Sequence, residues 1–521
     1  MSVRRVMGTE TEYAVSAVGQ DRYNPVRLSF DVVDGASAPR TRHIRWDYRQ
    51  EDPVNDMRGH RLNRASARPD MLTDSPQLQI TNVLASNGAR IYVDHAHPEY
   101  SAPETRDPFD AVAWDHAGDV MMQAAARRAS ETAGCRIVLH RNNVDGKGAS
   151  WGTHENYLMR RDVPFDTVAA LMIPHFVSRQ IYAGSGRVGL GEHSEGDGFQ
   201  LSQRADYIHA KLGLQTTFDR PIVNTRDEPH AESESWRRLH VIVGDANRME
   251  VPQVLKLGVT SMLLWLLEHA DEGGVDMGAL LSSLELADPV EAMHTVSHDL
   301  TLSKPLELQA GGTATAWMMQ VRLRAAVYAA AAVVYGTDTT GEPVWPDRST
   351  TSVMAMWGQA LADVAAIRHA DDTERMAMSA EASRVEWLAK WQLLERLRRK
   401  AGLDWSSPKL KAVDLGWAAL DPRTSVWARM EPRSEHVLDA AAVDHAVGEP
   451  PVDTRAWLRG QLVRRFPEET IAVSWTHLTV RAGGSDSLSL DMADPCAFGR
   501  DACADALSRS SSAVELLKSL S

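Results

Sequence analysis

Cysteine is scarce in this chain. Only Cys135, Cys496 and Cys503 occur in 521 residues, and their spacings make neither a metal-binding nor a redox pattern. A disulfide scaffold is excluded, and a reducing cytoplasm fits. Long apolar runs are missing too: nothing approaches the ~18 uninterrupted apolar residues of a membrane span. The nearest, Ala325 to Tyr335, is Ala-rich and follows directly on Arg322 and Arg324, which suits a buried helix. The opening MSVRRVMGTETEY turns polar without an apolar core of signal length, so neither secretion nor membrane association is expected. An excess of basic residues is also absent. With 56 Lys and Arg against 70 Asp and Glu, the net charge is −14, which argues against a general nucleic-acid binder because phosphate neutralisation needs a basic surface.

What is present is ordinary globular composition, 43% hydrophobic and 24% charged, in a chain long enough for one large domain and an appendage. Period-two patterns dominate to about residue 245, interrupted by helical stretches at Phe109 to Glu131 and Val168 to Tyr182; helical patterns dominate from Val251 to Lys400. The expected class is α+β. Residues 33–77 are polar and rich in Arg, Asp and Pro, and read as a long mobile loop of the kind that serves as a lid or binding element. WSSPKLKAVDLGWAALDP reads as an extended link, followed by a small domain with a strand at Ile471 to Arg481 and a helix at Ala513 to Leu520. The expected division is 1–420 and 421–521.

Residues i and i+2 of a strand point to one face. Glu10 and Glu12 do so in GTETEY; Arg90, Tyr92 and Asp94 in ARIYVDHAHPEY; His154 and Asn156 in GTHENY; Arg238 and His240 in RRLHVIVGD. Paired carboxylates on one face repel unless a cation or proton is shared, so Glu10 and Glu12, joined by Glu99, suggest a hard metal such as Mg²⁺. Arg90 and Arg238 are suited to clamp phosphate oxygens. Singly these are weak signals, since an ExE pair is commonly a solvated edge; four strands with the same facing pattern point to a nucleotide and metal site. GSGRVGLG lacks the Lys-Ser/Thr ending of a phosphate loop and reads as a turn. RLRRK reads as a solvated helix end, and neither Ser150 nor Ser202 has triad spacing to His and Asp.

MGTETEY, NGARIYVDHAHPEYSAPE, NNVDGKGASWGTHENYLM, FQLSQRADYI, NTRDEPHA, RRLHVIVGDAN and DTRAWLRGQLVRRF, in that order, resemble the Dop and PafA family, the depupylases and Pup ligases of actinobacterial pupylation. The resemblance implies a glutamine-synthetase-like domain with a curved, mostly antiparallel sheet, bound ATP and Mg²⁺, and a small C-terminal domain. Carried over by motif, Asp94 is the family's essential aspartate. Glu10, Glu12, Tyr92, Glu99, His154 and His240 match metal positions. Gly8, Thr9, Glu10, Arg90, Ser101, Ala102, Asn156, Arg238 and Trp475 match nucleotide contacts. The ligase branch passes almost directly from its first helix to the NGAR-type strand, whereas the depupylase branch carries an insertion like RWDYRQEDPVNDMRG, present here at 45–59. ETEYAVS differs in detail from the family form, and residues 311–369 match little.

The reading that follows is hydrolysis of an amide at the γ-carboxyl of Pup's C-terminal residue, a glutamine side chain or the isopeptide bond of a pupylated protein, with Asp94 as base or nucleophile. Arg226 is a candidate for charge stabilisation or for a salt bridge to Asp227 or Glu228. Acidic, disordered Pup would need a basic groove, with Arg204, Arg237, Arg396, Arg399, Arg459, Arg464 and Arg465 as candidates. A cytoplasmic monomer is expected. The rivals are a Pup ligase, a small-molecule carboxylate-amine ligase and a Pup-binding protein without activity.

Overall fold

The computed structural model describes residues 2–20, 22–67 and 82–521; positions 68–77 of the expected loop lie outside them. Strand β1 is Met7–Glu12, β2 the short Arg45–Trp46, β3 Asn82–Leu84, β4 Arg90–Asp94, β5 His97–Ser101, β6 Thr153–Arg160 and β7 Trp236–Val241. All except β2 join in one antiparallel sheet ordered β7-β6-β1-β5-β4-β3. The four polar-lined segments of the sequence are thus strands of a single sheet.

Helices α1 (Pro25–Ala36) and α2 (Pro108–Ala133) cover its back. Asp107 caps α2, Pro108 fills its first turn, and Gly134 ends it at φ 66°, a left-handed conformation that glycine adopts without strain. Thr9 and Thr11, on the back of β1, donate to Asp115 of α2 at 2.9 and 3.2 Å, and the buried Arg141 pairs with the same carboxylate. Gly118 lies flat on the Tyr100 ring, where any Cβ would collide. These contacts fix β1 and β5 at the centre of the sheet, and with them the side chains on its front.

The helical half contributes α3 (Phe165–Ser178), α4 (Glu250–Glu268), α5 (Ala316–Tyr335), α6 (Arg348–His369) and α7 (Glu386–Ala401), which share one large apolar core. By length and composition α4 could cross a membrane, but its apolar window is 94% buried inside the protein, as in a core helix. Residues 405–422 differ from the extended link expected. Ser407 caps, Pro408 starts, and the chain turns through α8 (Pro408–Ala418), burying Trp417 with its indole N–H on Glu386 at 2.9 Å.

Past α8, α9 (Ala456–Arg465), β8 (Thr470–Val473), β9 (His477–Gly483), β10 (Asp486–Asp491), α10 (Arg500–Arg509) and α11 (Ala513–Leu520) build a second sheet and its helices. Ser474 closes a turn within the expected single strand and divides it into β8 and β9. The sheet order is β10-β9-β8-β2, with β2 parallel to β8. Residues 33–67 therefore carry more structure than an irregular loop. Ile44 and Trp46, apolar residues in a polar stretch, are buried in the cluster formed by Trp457, Leu462, Val473 and Leu478.

Glu104 ties the two sheets together. Buried between Arg455 (2.7 Å) and Arg459, it is held down to a pKa of about 2: burial opposes its charge, but the two guanidiniums prevail. Replacing Glu104 by Ala strands two buried cations and is expected to cost roughly 3–5 kcal/mol in urea denaturation. Because the folded pKa is depressed, the wild type's share of this stability is present above the ordinary carboxyl range and lost as pH falls from about 5 to about 2. A variant with unchanged stability at pH 7 would refute this assignment.

Candidate active site

Directly opposed residues of antiparallel strands share a face. The register sets Glu10 opposite His154 and Ser101, Glu12 opposite Glu99, Glu99 opposite Tyr92, Ser101 opposite Arg90, and Asn156 opposite His240. The front of the sheet gathers these groups into two clusters.

The first is Glu10 with His154 and His240, whose ligating atoms lie within 4.8 Å of one another. His154 Nδ1 is 3.1 Å from Glu10 Oε2, Asn156 donates to Glu10 Oε1 at 3.2 Å, and His240 Nε2 stands off at 3.7 Å. Burial would raise the pKa of Glu10, but the two histidines hold it well below the usual carboxylate range. Burial pushes His240 down to about 3, so its ring is neutral and able to ligate; neither ring nitrogen has a hydrogen-bond partner.

In the second cluster, Glu12, Asp94 and Glu99 bring carboxylate oxygens equally close. Glu12 is lowered to about 2: burial opposes its charge, His97 at 3.2 Å favours it, and so does the Gly152 N–H at 2.7 Å. Glu99 goes the other way. Burial, then the charges of Asp94, Glu10 and Glu12, push it well above its ordinary value, and its Oε1 is buried without a partner. An orphaned oxygen among crowded carboxylates fits a hard divalent cation, and Glu10, Glu12 and Glu99 with the imidazoles of His154 and His240 are the residues that could hold it.

A cavity of about 490 Å³ opens over this face and is lined by Glu10, Arg90, Tyr92, Asp94, Glu99, Ser101, His154, Arg238, His240 and Trp475, among others. Beside it a narrower cleft is lined by Gly8, Thr9, Glu10, Ser101, Ala102, Asn156, Arg238 and Trp475. The two share Glu10, Ser101, His230, Arg238 and Trp475. Of the residues expected from sequence, Arg90 lines the larger cavity with Glu10, Ser101, Arg238 and Trp475 but does not line the cleft, and Glu12 lines neither. A roomier cavity of about 730 Å³ shares no residue with either; its lining includes the ion pairs of Arg248 with Asp119 and of His436 with Glu250.

Arg90 is boxed in by aromatic rings. Its guanidinium lies 3.9 Å from the Tyr92 ring centre and 4.2 Å from that of Trp46, with Glu51 at 3.6 Å. Tyr48, Glu51 and Trp46 come from the 45–59 segment, which the sequence located but did not place on Arg90. His97 and the partly buried His230, which lines both cavities, were also missed. Arg226 lies 3.7 Å from Glu228, whereas Asp227 pairs with Arg161. The proposed basic groove is not formed by its seven candidates. Arg204 and Arg237 are buried and donate to backbone carbonyls, Arg396 donates to Met376 O, and Arg465 to Leu507 O. Arg399, Arg459 and Arg464 are paired with Glu395, Glu104 and Glu449.

The Pup-ligase protein family model matches residues 5–479. A depupylase of Acidothermus cellulolyticus is 42% identical, covering 99% of both chains. A Pup deamidase/depupylase of Mycolicibacterium smegmatis is 41% identical over 99% of this chain and all of its own. A Pup–protein ligase of Corynebacterium jeikeium is 33% identical over 80% of this chain and 87% of its own. Among solved structures, the complex of Pup with its ligase PafA superposes with a TM-score of 0.76 at 26% identity, covering 100% of this chain and 95% of the ligase. PafA in complex with ADP gives 0.69 at 29% identity, over 82% and 90%. The architecture is α+β and glutamine-synthetase-like.

Replacing Glu99 by Gln removes one of the crowded carboxylates. Without divalent cations the variant is expected to melt higher than the wild type, because repulsion is relieved. Its affinity for Mg²⁺, read by isothermal titration calorimetry, should fall about 10–100-fold. Unchanged Mg²⁺ affinity would remove Glu99 from the ligand set.

Proposed function

Because the chain belongs to the Pup-ligase protein family, we propose that it is the hydrolytic member: a Pup amidohydrolase that deamidates Pup's C-terminal glutamine and cleaves the isopeptide bond between Pup and a target lysine. The observation that carries this reading is end-to-end similarity at 41–42% to proteins named as depupylases, against the 33% and shorter span of the ligase above. The 45–59 segment supports it, since Tyr48 and Glu51 stand in the wall of the larger cavity.

In this reading residues 1–420 form the catalytic domain and 421–521 a small second domain, and the protein acts as a cytoplasmic monomer on Pup and pupylated proteins. Gly8, Thr9, Ser101, Ala102, Asn156, Arg238 and Trp475, with Arg90, would hold ATP. Glu10, Glu12, Tyr92, Glu99, His154 and His240 would hold Mg²⁺. Bound there, the ion would offset the phosphate charge and polarise the amide carbonyl. Asp94, half-buried where β4 ends, orients the attacking nucleophile and takes its proton. Arg226 and Arg238 steady negative charge on the amide oxygen.

The test is incubation with Mg²⁺, ATP and Pup conjugated to a lysine-bearing protein, following free Pup by gel and mass spectrometry. Release is expected from the wild type and is expected to fall by a factor of roughly 10²–10⁴ in Asp94→Asn. Formation of conjugates from Pup ending in glutamate, with stoichiometric ATP hydrolysis, would establish the ligase instead.

A further inference from the structure

Strands β4 and β5 are joined by two residues, His95 and Ala96, with Asp94 and His97 as the last pair of the ladder. His95 has φ 51°, and Ala96 is not left-handed. A two-residue hairpin with positive φ at its first central position is a place for glycine, because a Cβ there costs backbone energy. The surroundings hold the turn in this form: Ser29 of α1 donates to Ala96 O at 2.7 Å. Strain retained at a tight turn calls for a return in function. The imidazole lines the larger cavity beside Asp94, with Nδ1 3.0 Å from Asp94 Oδ1.

We propose that His95 is a catalytic residue, the general acid that protonates the departing amine. The proposal rests on the amide hydrolysis proposed above. A lysine amine, whose conjugate acid has a pKa of about 10.4, leaves carbon only if it gains a proton as the C–N bond breaks. That amine carries a protein and must exit where the cavity meets solvent. His95, with 33% of its side chain exposed, stands there, whereas the carboxyl of Glu99, at 1%, lies on the sheet floor.

The balance is one water consumed per amide cleaved. His95 enters protonated on both nitrogens, with Nδ1–H donated to Asp94 Oδ1. As the C–O bond forms, water gives a proton to the other carboxylate oxygen of Asp94, and as the C–N bond breaks, His95 Nε2 gives its proton to the nitrogen. The products are Pup's free γ-carboxyl group and an amine; Asp94 then loses one proton to solvent and the exposed ring takes one back.

The experiment compares wild type and His95→Gly on two full-length Pup substrates, a lysine conjugate and an aromatic anilide at the same γ-carboxyl, whose weakly basic amine departs with little protonation. Glycine suits φ 51°, so the variant is expected to melt at the wild-type temperature or higher. Cleavage of the lysine conjugate is expected to fall by a factor of roughly 10²–10⁴, anilide cleavage by less than about tenfold, and added imidazole to restore part of the lost activity. Equal losses on both substrates without imidazole rescue would reduce His95 to a positioning residue for Asp94; no loss on either would overturn any role. A wild type that cleaves neither substrate would instead bring down the hydrolase reading itself.

Discussion

The structure turns on a crowding of negative charge. Antiparallel pairing puts strands about 4.8 Å apart, so carboxylates on one face of β1, β4 and β5 sit almost in contact. Glu12, Asp94 and Glu99 are held together in this way, and Glu10 lies one register step away. The compensation comes from the sheet's own imidazoles, His154 and His240 for Glu10 and His97 for Glu12, while Glu99, left without one, is pushed well above its ordinary pKa by burial and by the neighbouring carboxylates. A bound cation would supply the compensation that Glu99 lacks. The back of the sheet, with Asp115 and Arg141 under β1 and the Tyr100 ring against Gly118, supplies the rigidity that prevents the strands from spreading to escape the charge.

The second organising element is Arg90. A guanidinium between the rings of Tyr92 and Trp46, with Asn82 and Tyr48 at its donors, has little freedom to turn. Two of its four holders, Trp46 and Tyr48, come from the 45–59 segment. The same Trp46 meets Trp475 edge-on at 5.1 Å, and Arg459 lies 4.9 Å from the Trp475 ring centre. One aromatic and cationic stack therefore runs from the catalytic sheet to the second sheet, and both cavities are walled at its end by Trp475.

Much of this was legible in the chain because strand periodicity is local. Glu10, Arg90, His154 and Arg238 can be assigned to a face by counting, and a shared face on four strands is evidence for one site. Strand order is not local, so the sequence could not say that Glu12 falls in with Glu99 and Asp94 while Glu10 falls in with the histidines. His97 was overlooked because its role depends on its neighbour across the sheet, and His230 because it belongs to no periodic segment. The basic groove failed for a related reason. Counting arginines says nothing about their partners, and Arg204, Arg237 and Arg459 are spent inside the protein. The α8 helix was misread from a Trp-rich stretch whose cap, Ser407-Pro408, was the informative part.

The pairing of β2 with β8 joins residues more than four hundred positions apart. At about 5–20 residues per second, a ribosome makes Trp46 tens of seconds before Val473 exists to receive it. During that interval a buried tryptophan of the finished protein has no partner, and Arg90 lacks one of the rings that hold it. The nascent chain can close most of its large sheet early, but the stack over Arg90 is completed last. Assembly of the site is thereby timed to the end of synthesis, and a chain released early would carry the carboxylates and imidazoles without the wall that encloses them.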